Sequence, residues 1–338
     1  MFGQKNKTDK VVSVDFGDKK IKIFIFKKER KGLSLINFRK IEKYDEGGNI
    51  KEEALLVDDL RKIAKDLSFG KKEVRVSISS NEAIVRYLEV PIMTLKELKN
   101  SVKYQAEMYV PFDLSGAYYD CDILKGTASS NKKMKIVFVA IKRNKVSELL
   151  RLFEGVGIKP AALEINSITL INSLAYLYRG KFAKDVIAIV DIGDQKISTN
   201  ILSEGGPLLS RETDLGKSGI NSNIVKGLGC SWDESETLKF MRDMSVESYI
   251  VTYFDRISKE IKSTFDFFEG GEQKKIKKIF LGGSNSNING IEEYLQKITN
   301  VEVENLELKL RKQISIAADV EGIENIPLSV GVGLAAFD

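Results

Sequence analysis

Two stretches of the chain, VVSVDFGDKKIKIFIF at 11–26 and VIAIVDIGDQKISTNIL at 186–202, are variants of one pattern. Val14, Asp15, Gly17, Asp18, Lys20, Ile21 and Ile25 recur at a constant offset as Val190, Asp191, Gly193, Asp194, Lys196, Ile197 and Ile201. Each copy reads as two strands around a tight turn, in which Gly tolerates positive φ and Asp bonds its own backbone. One such hairpin would be weak testimony, because turns use Asp and Gly anyway. Two at equal register, each ahead of its own half of the chain, imply a two-lobed protein with one hairpin per lobe. Backbone N–H groups at the tip of such a hairpin form a nest that can bind a phosphate. The Asp just before the turn can hold a Mg²⁺-bound water, since Mg²⁺ keeps waters and takes few carboxylates. Facing each other, the two tips would clamp a nucleotide's phosphates from opposite sides.

The rest of the chain reads as α/β. A third strand near 33–38, a helix over 58–67 with Leu60, Ile63, Ala64 and Leu67 on one face, and a buried strand over 73–78 follow the first hairpin. A different unit begins near Ala83. IVRYLEV is strand-like, and Thr94 with Glu97 forms a capping box for a helix over 94–110, ended by Pro111. AYYDCDIL and KMKIVFVAI are strands, and Asn144 is placed to cap KVSELLRLFEGVG, which Gly155 and Gly157 stop. Strand–helix–strand–strand–helix is a compact α+β module, inserted where strand types resume on either side. AALEIN is then a strand and SITLINSLAYLYRG a helix. After the second hairpin, SETLKFMRDM and SYIVTYFDRISKEIKSTFDFFEG are helical, and KKIFLGGSNSNINGIEEYLQKI reads strand, glycine turn, helix. Glycines after a buried strand let backbone approach a ligand closely, and a helix start favours negative charge. The ending SVGVGLAAFD is small and apolar, suited to packing.

Composition removes several function classes. The chain has no His, so a Ser–His–Asp triad, a Cys–His pair and a histidine-ligated metal are excluded. Its two cysteines, Cys121 and Cys230, are too far apart for a CxxC site and read as free thiols of a reducing compartment. Catalysis would have to use carboxylates, Lys, or bound phosphate and metal. With 53 basic and 48 acidic residues in 338, the net charge is only +5. The clusters at 132–135 and 274–278 lack interleaved aromatics and read as solvated faces, with no nucleic-acid partner. No apolar run approaches the ~18 residues that span a membrane, and MFGQKNKTDK lacks a signal peptide's apolar core. The expected location is the cytoplasm.

The order of the two hairpins and the glycine turn, with an α+β module inserted in the first half, resembles the actin-like ATPase superfamily. In detail the chain resembles the PilM family of type IV pilus assembly proteins. The resemblance rests on VPIMTLKELKNSVKYQAEMYVPFDL, FEGVGIKPAALEIN, VDIGDQKI, LSRETDLG, ESETLK, IFLGGSNSNINGIEEYL and VGLAAF, and runs from about Val11 onward. It implies an α/β, two-lobed actin-like ATPase fold with a small inserted α+β (SHS2-like) subdomain. The expected division is 1–82, first lobe with the first phosphate hairpin; 83–157, inserted subdomain; 158–184, return to the first lobe; 185–325, second lobe; and 326–338, a C-terminal segment packing back on the first lobe.

The resemblance also implies roles. Asp15 and Gly17 would form the first phosphate jaw and Asp191 and Gly193 the second, with Mg²⁺ held through water by Asp15 and Asp191. Glu236 and Lys239 match the pair flanking adenosine and ribose, and Gly282 and Gly283 the adenosine-motif glycines. Glu164 matches the carboxylate near the water that attacks the γ-phosphate, where such a group orients water and Mg²⁺ neutralises developing charge. The turns depart from the family pattern: Asp18, Lys19 and Lys20 replace small hydroxyl residues, Asp194 replaces a small residue, and Gly216-Lys217 replaces paired glycines. A carboxylate in each turn repels phosphate unless it points outward or binds metal; Lys20 and Lys196 offset that charge. The expectation is ATP binding with at most weak ATPase activity.

The implied function is that of an adaptor at the inner face of the cell membrane. Its partner would be the N-terminal cytoplasmic tail of a PilN-like bitopic inner-membrane protein, held between the inserted subdomain and the first lobe. Other pilus platform and motor proteins would follow, with membrane contact only indirect. Alternatives are an FtsA-like cell-division protein, expected to carry a C-terminal amphipathic helix beyond a point such as Asp338, and a nucleotide-free scaffold of a related secretion system such as GspL, expected to continue into a membrane span. A sugar kinase would share the hairpins but needs a catalytic Asp in a sugar pocket, for which no candidate stands out.

Overall fold

A computed structural model describes residues 9–17, 19–44, 50–79, 83–124, 133–179, 185–193, 196–203, 206–214 and 219–336. The first hairpin is β1 (Lys10–Phe16) and β2 (Lys20–Glu29), extended by β3 (Gly32–Glu42). Helix α1 (Glu53–Asp66) and β4 (Glu73–Ile78) follow. Next come β5 (Ala83–Pro91), α2 (Leu95–Ala106), β6 (Ala117–Ile123), β7 (Lys133–Lys142) and α3 (Arg143–Glu154). The chain returns through β8 (Ala162–Ile165) and α4 (Asn166–Leu177) to the second hairpin, β9 (Val186–Ile192) and β10 (Lys196–Ser203), and then β11 (Gly206–Asp214). After these lie α5 (Ile220–Leu228), α6 (Trp232–Met241), α7 (Glu247–Glu272), β12 (Ile276–Gly282), α8 (Ile291–Thr299), β13 (Glu302–Asn305), α9 (Leu306–Gln313), β14 (Ser315–Ile316) and α10 (Ser329–Ala336).

The repeat seen in the hairpins extends to whole sheets. One sheet runs β14-β3-β2-β1-β4-β8 and the other β11-β10-β9-β12-β13. In each, three consecutive strands form an antiparallel meander, and the first of them pairs in parallel with a strand from much later in the lobe. Equivalent positions take equivalent partners: Asp15 pairs with Lys22, and Asp191 with Ser198. β1 and β9 are buried along nearly their whole length and mostly apolar, as strands covered on both faces are.

Between β4 and β8, which are neighbours in the first sheet, the chain builds a separate sheet of order β5-β7-β6. Leu98 and Val102 of α2 pack on one face of it with Ile136 and Phe138, while α3 joins α1 in covering the first sheet through Val146, Leu149 and Phe153. Thr94 and Glu97 form the expected capping box on α2. That helix ends at Ala106 and continues as one 3₁₀ turn, Glu107–Tyr109, before Pro111. Asn144 is not the cap of α3. β7 runs directly into the helix, so Lys142 takes the N-cap position without a side-chain bond, and Asn144 accepts a hydrogen bond from the Lys145 N–H inside the first turn.

The two lobes share a core. Phe24, Phe26 and Leu35 of the first sheet, Ile187, Ile189 and Phe280 of the second, and side chains of α4, α9 and α10 form one buried cluster. Helix α10 packs against β2 and α4: Gly331 abuts the Phe24 ring, and Gly333 lies so close to Thr169 that a Cβ would fall 1.9 Å from its carbonyl oxygen. Among the described residues, no helix is long and apolar enough to cross a membrane, and Cys121 and Cys230 are free. Within the basic stretch 274–278, Lys275 pairs with Glu269 and Lys278 with Glu302 and Glu304, so part of it is a partnered surface.

Candidate functional site

The two hairpin tips and the turn after β12 converge on one cleft of about 580 Å³ between the lobes, within the ordinary range for small-molecule sites. Eight of the eleven expected site residues line it: Asp15, Gly17, Lys20, Asp191, Gly193, Lys196, Glu236 and Gly283. The turn acids Asp18 and Asp194, and Gly216-Lys217, lie outside the described residues. Both hairpins need glycine at the tip. A Cβ on Gly17 would meet the Lys20 carbonyl at 2.9 Å, and one on Gly193 the Lys196 carbonyl at 3.3 Å. The Gly193 N–H itself donates to that Lys196 carbonyl at 2.9 Å, which closes the second turn.

The jaws match in backbone and differ in charge. Lys22, across from Asp15, bonds its carboxylate at 2.7 Å, and Ser77 of β4 donates to the other oxygen at 3.4 Å. Asp15 is thus a buried, paired carboxylate. The equivalent of Lys22 in the second hairpin is Ser198. Burial pushes the Asp191 carboxyl up to about 7, the Glu307 carboxylate adds to the rise, and Lys22 opposes it. Lys196 reaches across the cleft to the Ser79 hydroxyl at 3.4 Å. Lys19, beside the first tip, lies over the ring of Trp232 at the start of α6, so both hairpins touch the opposite lobe.

The third wall is built on Gly283, whose φ of +92° is open to glycine. A Cβ there would stand 2.6 Å from the Ile192 carbonyl oxygen and 2.7 Å from the Asp191 carboxylate. Asn285 ties this turn to the second hairpin. Its backbone N–H donates to the Ile192 carbonyl at 3.0 Å and its side-chain amide to the Gly193 carbonyl at 2.9 Å. Lys239, fully buried, donates to the Asn285 side-chain oxygen at 2.9 Å and pairs with Glu236 at 3.0 Å. Glu236 also accepts from Asn221. Lys239 therefore stands behind the wall and orients the groups that face the cavity.

Three expected site residues lie off the cavity lining: Lys239, Gly282 and Glu164. Glu164 sits on β8, in register with Ser77, so β4 separates it from Asp15. Burial pushes its carboxyl up to about 7 against the pull of Arg75. Conversely, Lys22, Asn285, Glu307 and the segment 322–330 were not anticipated. Lys22 carried a signal, since its place in the strand alternation puts it across from Asp15. Glu307 carried none, being one charge in the polar octapeptide LELKLRKQ. Among the described residues, no three acidic or cysteine side chains are grouped to hold one metal ion.

A family described as "Type IV pilus assembly protein PilM" matches residues 13–335. The chain is similar to a solved "PilM-PilN type IV pilus biogenesis complex" at a TM-score of 0.80 and 20% identity, over 97% of this chain and 98% of that one. It is also similar to ethanolamine utilization protein EutJ from Carboxydothermus hydrogenoformans, at 0.55 and 13% over 97% and 89%. MreB5 of Spiroplasma citri bound to ADP matches at 0.53 and 12% over 98% and 97%. At such identities the structural likeness speaks for the fold, which is actin-like. With a family match over nearly the whole chain and the doubled sheet that fold requires, the protein belongs to the PilM family of type IV pilus assembly proteins.

Proposed function

We propose that the chain is a nucleotide-responsive adaptor of the pilus assembly platform, binding ATP with Mg²⁺ in its cleft and a membrane partner on its first lobe. The observation that carries the nucleotide half is the convergence of two equal-register hairpins with the Gly283 turn on one cavity. Gly17 and Gly193 leave backbone room for phosphate, and Lys20 and Lys196 supply positive charge. Asp191 is the better carboxylate for a Mg²⁺-bound water, because Asp15 already bonds Lys22. Mg²⁺ would supply charge neutralisation at the phosphates. Glu236, oriented by Lys239, would face the ribose, and Gly283, with Gly282 behind it, would form the adenosine turn. MreB5 of Spiroplasma citri, of the same fold, binds ADP. Glu164 lies one strand beyond the jaw and off the cleft lining, which favours binding with weak turnover.

For the partner half, the similar solved structure is a PilM-PilN complex. We assign this chain a PilN-like partner, held by its N-terminal cytoplasmic tail in the groove between residues 83–157, read as an inserted subdomain, and the first lobe. The protein would then work in the cytoplasm against the inner face of the membrane, with other platform and motor proteins assembled around it. Calorimetric titration with ATP and Mg²⁺ tests the first half, with Asp191→Ala as control. Binding abolished by the substitution is expected, with a tail-peptide affinity that differs between nucleotide states. No binding at millimolar ATP would leave a nucleotide-free scaffold, and equal peptide affinity in both states would remove the coupling.

A further inference from the structure

Helix α9 carries two charged side chains one turn apart, Glu307 and Arg311, that grip the segment leading from the second lobe to α10. Glu307 is 1% exposed. One of its carboxylate oxygens accepts the Leu328 N–H at 2.5 Å and the Ser329 N–H at 3.1 Å, at the start of α10. The other accepts the N–H of Gly283 at 3.3 Å, in the turn that lines the cleft. Arg311 donates to the carbonyls of Ile323 and Ile326, each at 2.6 Å. The gripped segment is itself cleft wall: Glu324, Asn325, Ile326 and Pro327 line the cavity.

At the far end of this connection nothing is slack. Gly331 and Gly333 seat α10 directly on Phe24 and on the Thr169 carbonyl of the first lobe, leaving no room even for a methyl group. At the near end, Gly283 is wedged against Ile192 and Asp191, so the turn cannot shift without the second hairpin. One buried carboxylate thus joins a ligand-facing turn of one lobe to a helix locked onto the other. A buried carboxylate relies on its N–H donors for solvation. Anything that moves or recruits the Gly283 N–H changes its hold on Leu328 and Ser329.

We propose that Glu307 is a positioning residue that transmits occupancy of the cleft at Gly283 to α10, and through α10 to the first lobe. This rests on the nucleotide reading above and names the path by which that site would be sensed. Arg311 keeps the intervening segment in place so that the signal enters α10 at its first turn.

Amide hydrogen exchange on the full chain, with and without Mg·ATP, tests it in wild type, Glu307→Gln and Arg311→Met. Calorimetry on the same samples reports binding independently. In wild type, nucleotide should change exchange at 328–332 by at least about 10-fold along with that at Gly283, because a two-state opening is read directly as such a factor. Glu307→Gln keeps the shape but replaces one acceptor with a donor. It should bind nucleotide within about 10-fold of wild type yet lose the response at 328–332. Its amides at 283, 328 and 329 should exchange faster together even without ligand, as groups solvated by one carboxylate would. Binding in wild type without any change at 328–332 overturns the inference alone, as does a response that persists in Glu307→Gln. Absence of binding in wild type overturns the nucleotide reading and this inference with it. Should Glu307→Gln fail to fold, the wild-type response and the Arg311→Met response still decide: transmission through this path requires the first to be present and the second to be diminished.

Discussion

Asp15 and Asp191 occupy the same place in two copies of one hairpin, and a single substitution across the strand separates their chemistry. Lys22 neutralises Asp15, whereas Ser198 leaves Asp191 to burial and to the neighbouring charge of Glu307. The sign of the consequence for stability is definite. An Asp whose carboxyl rises from 3.8 to about 7 binds its proton more tightly when folded. It therefore costs stability that grows as pH rises through that window, and the full cost stands above pH 7. Asp191→Asn should raise the melting temperature of the ligand-free protein at pH 8, by roughly 2–4 °C, and leave it nearly unchanged at pH 5. Thermal scans at the two pH values decide this, and an equal shift at both would show that the charge is not the cause. The same substitution should weaken Mg·ATP binding, so one residue trades apo stability for ligand. The repeat alone made the placing of Asp15, Gly17, Asp191 and Gly193 legible in the sequence. The charge difference between them was not, because cross-strand partners depend on register, and Glu307 enters from a helix more than a hundred residues away.

At the scale of elements, the hairpins, the inserted module's strands and the long helix α7 were readable because each has a strong period or a clear stop signal. Thr94 and Glu97 satisfied both halves of a capping box in sequence and in space. Asn144 failed as a cap because β7 leaves no linker before α3, a matter of chain path and not of local propensity. β13, α9 and β14 are short or charged, and tertiary packing forms them. α10 is the extreme case: its glycines, poor helix formers on their own, allow the close approach of Gly331 to Phe24 of β2 and of Gly333 to Thr169 of α4. Gly333→Ala should therefore cost roughly 3 kcal/mol or more, far beyond the small effect of a surface Gly→Ala. Urea denaturation measures it, and a loss under about 1 kcal/mol would mean that α10 has room to move.

Taken whole, the two large sheets repeat one plan, with a common apolar layer between them and a third, smaller sheet set apart between β4 and β8. Phe24 and Phe26 from one side and Ile189 and Phe280 from the other share that layer with α4, α9 and α10. Lobes joined in this way cannot part like two beads on a string; a change of angle has to pivot about the shared layer while the cleft side opens or closes. Calorimetric unfolding should accordingly show one dominant transition for both lobes, with equal calorimetric and van't Hoff enthalpies for that transition. Two well-separated transitions, one per lobe, would contradict the shared layer. The two-lobed plan was foreseeable from the repeat, whereas the common core was not, since it is assembled from strands and helices scattered along the chain.

The contact between Lys19 and Trp232 has a practical side. Trp232 is the sole tryptophan of the chain, and the Lys19 ammonium of the first hairpin lies over its ring from the opposite lobe. Indole emission responds to a charge held over its ring. A change in the separation of the lobes at this contact should therefore register as a change in the emission of unlabelled protein.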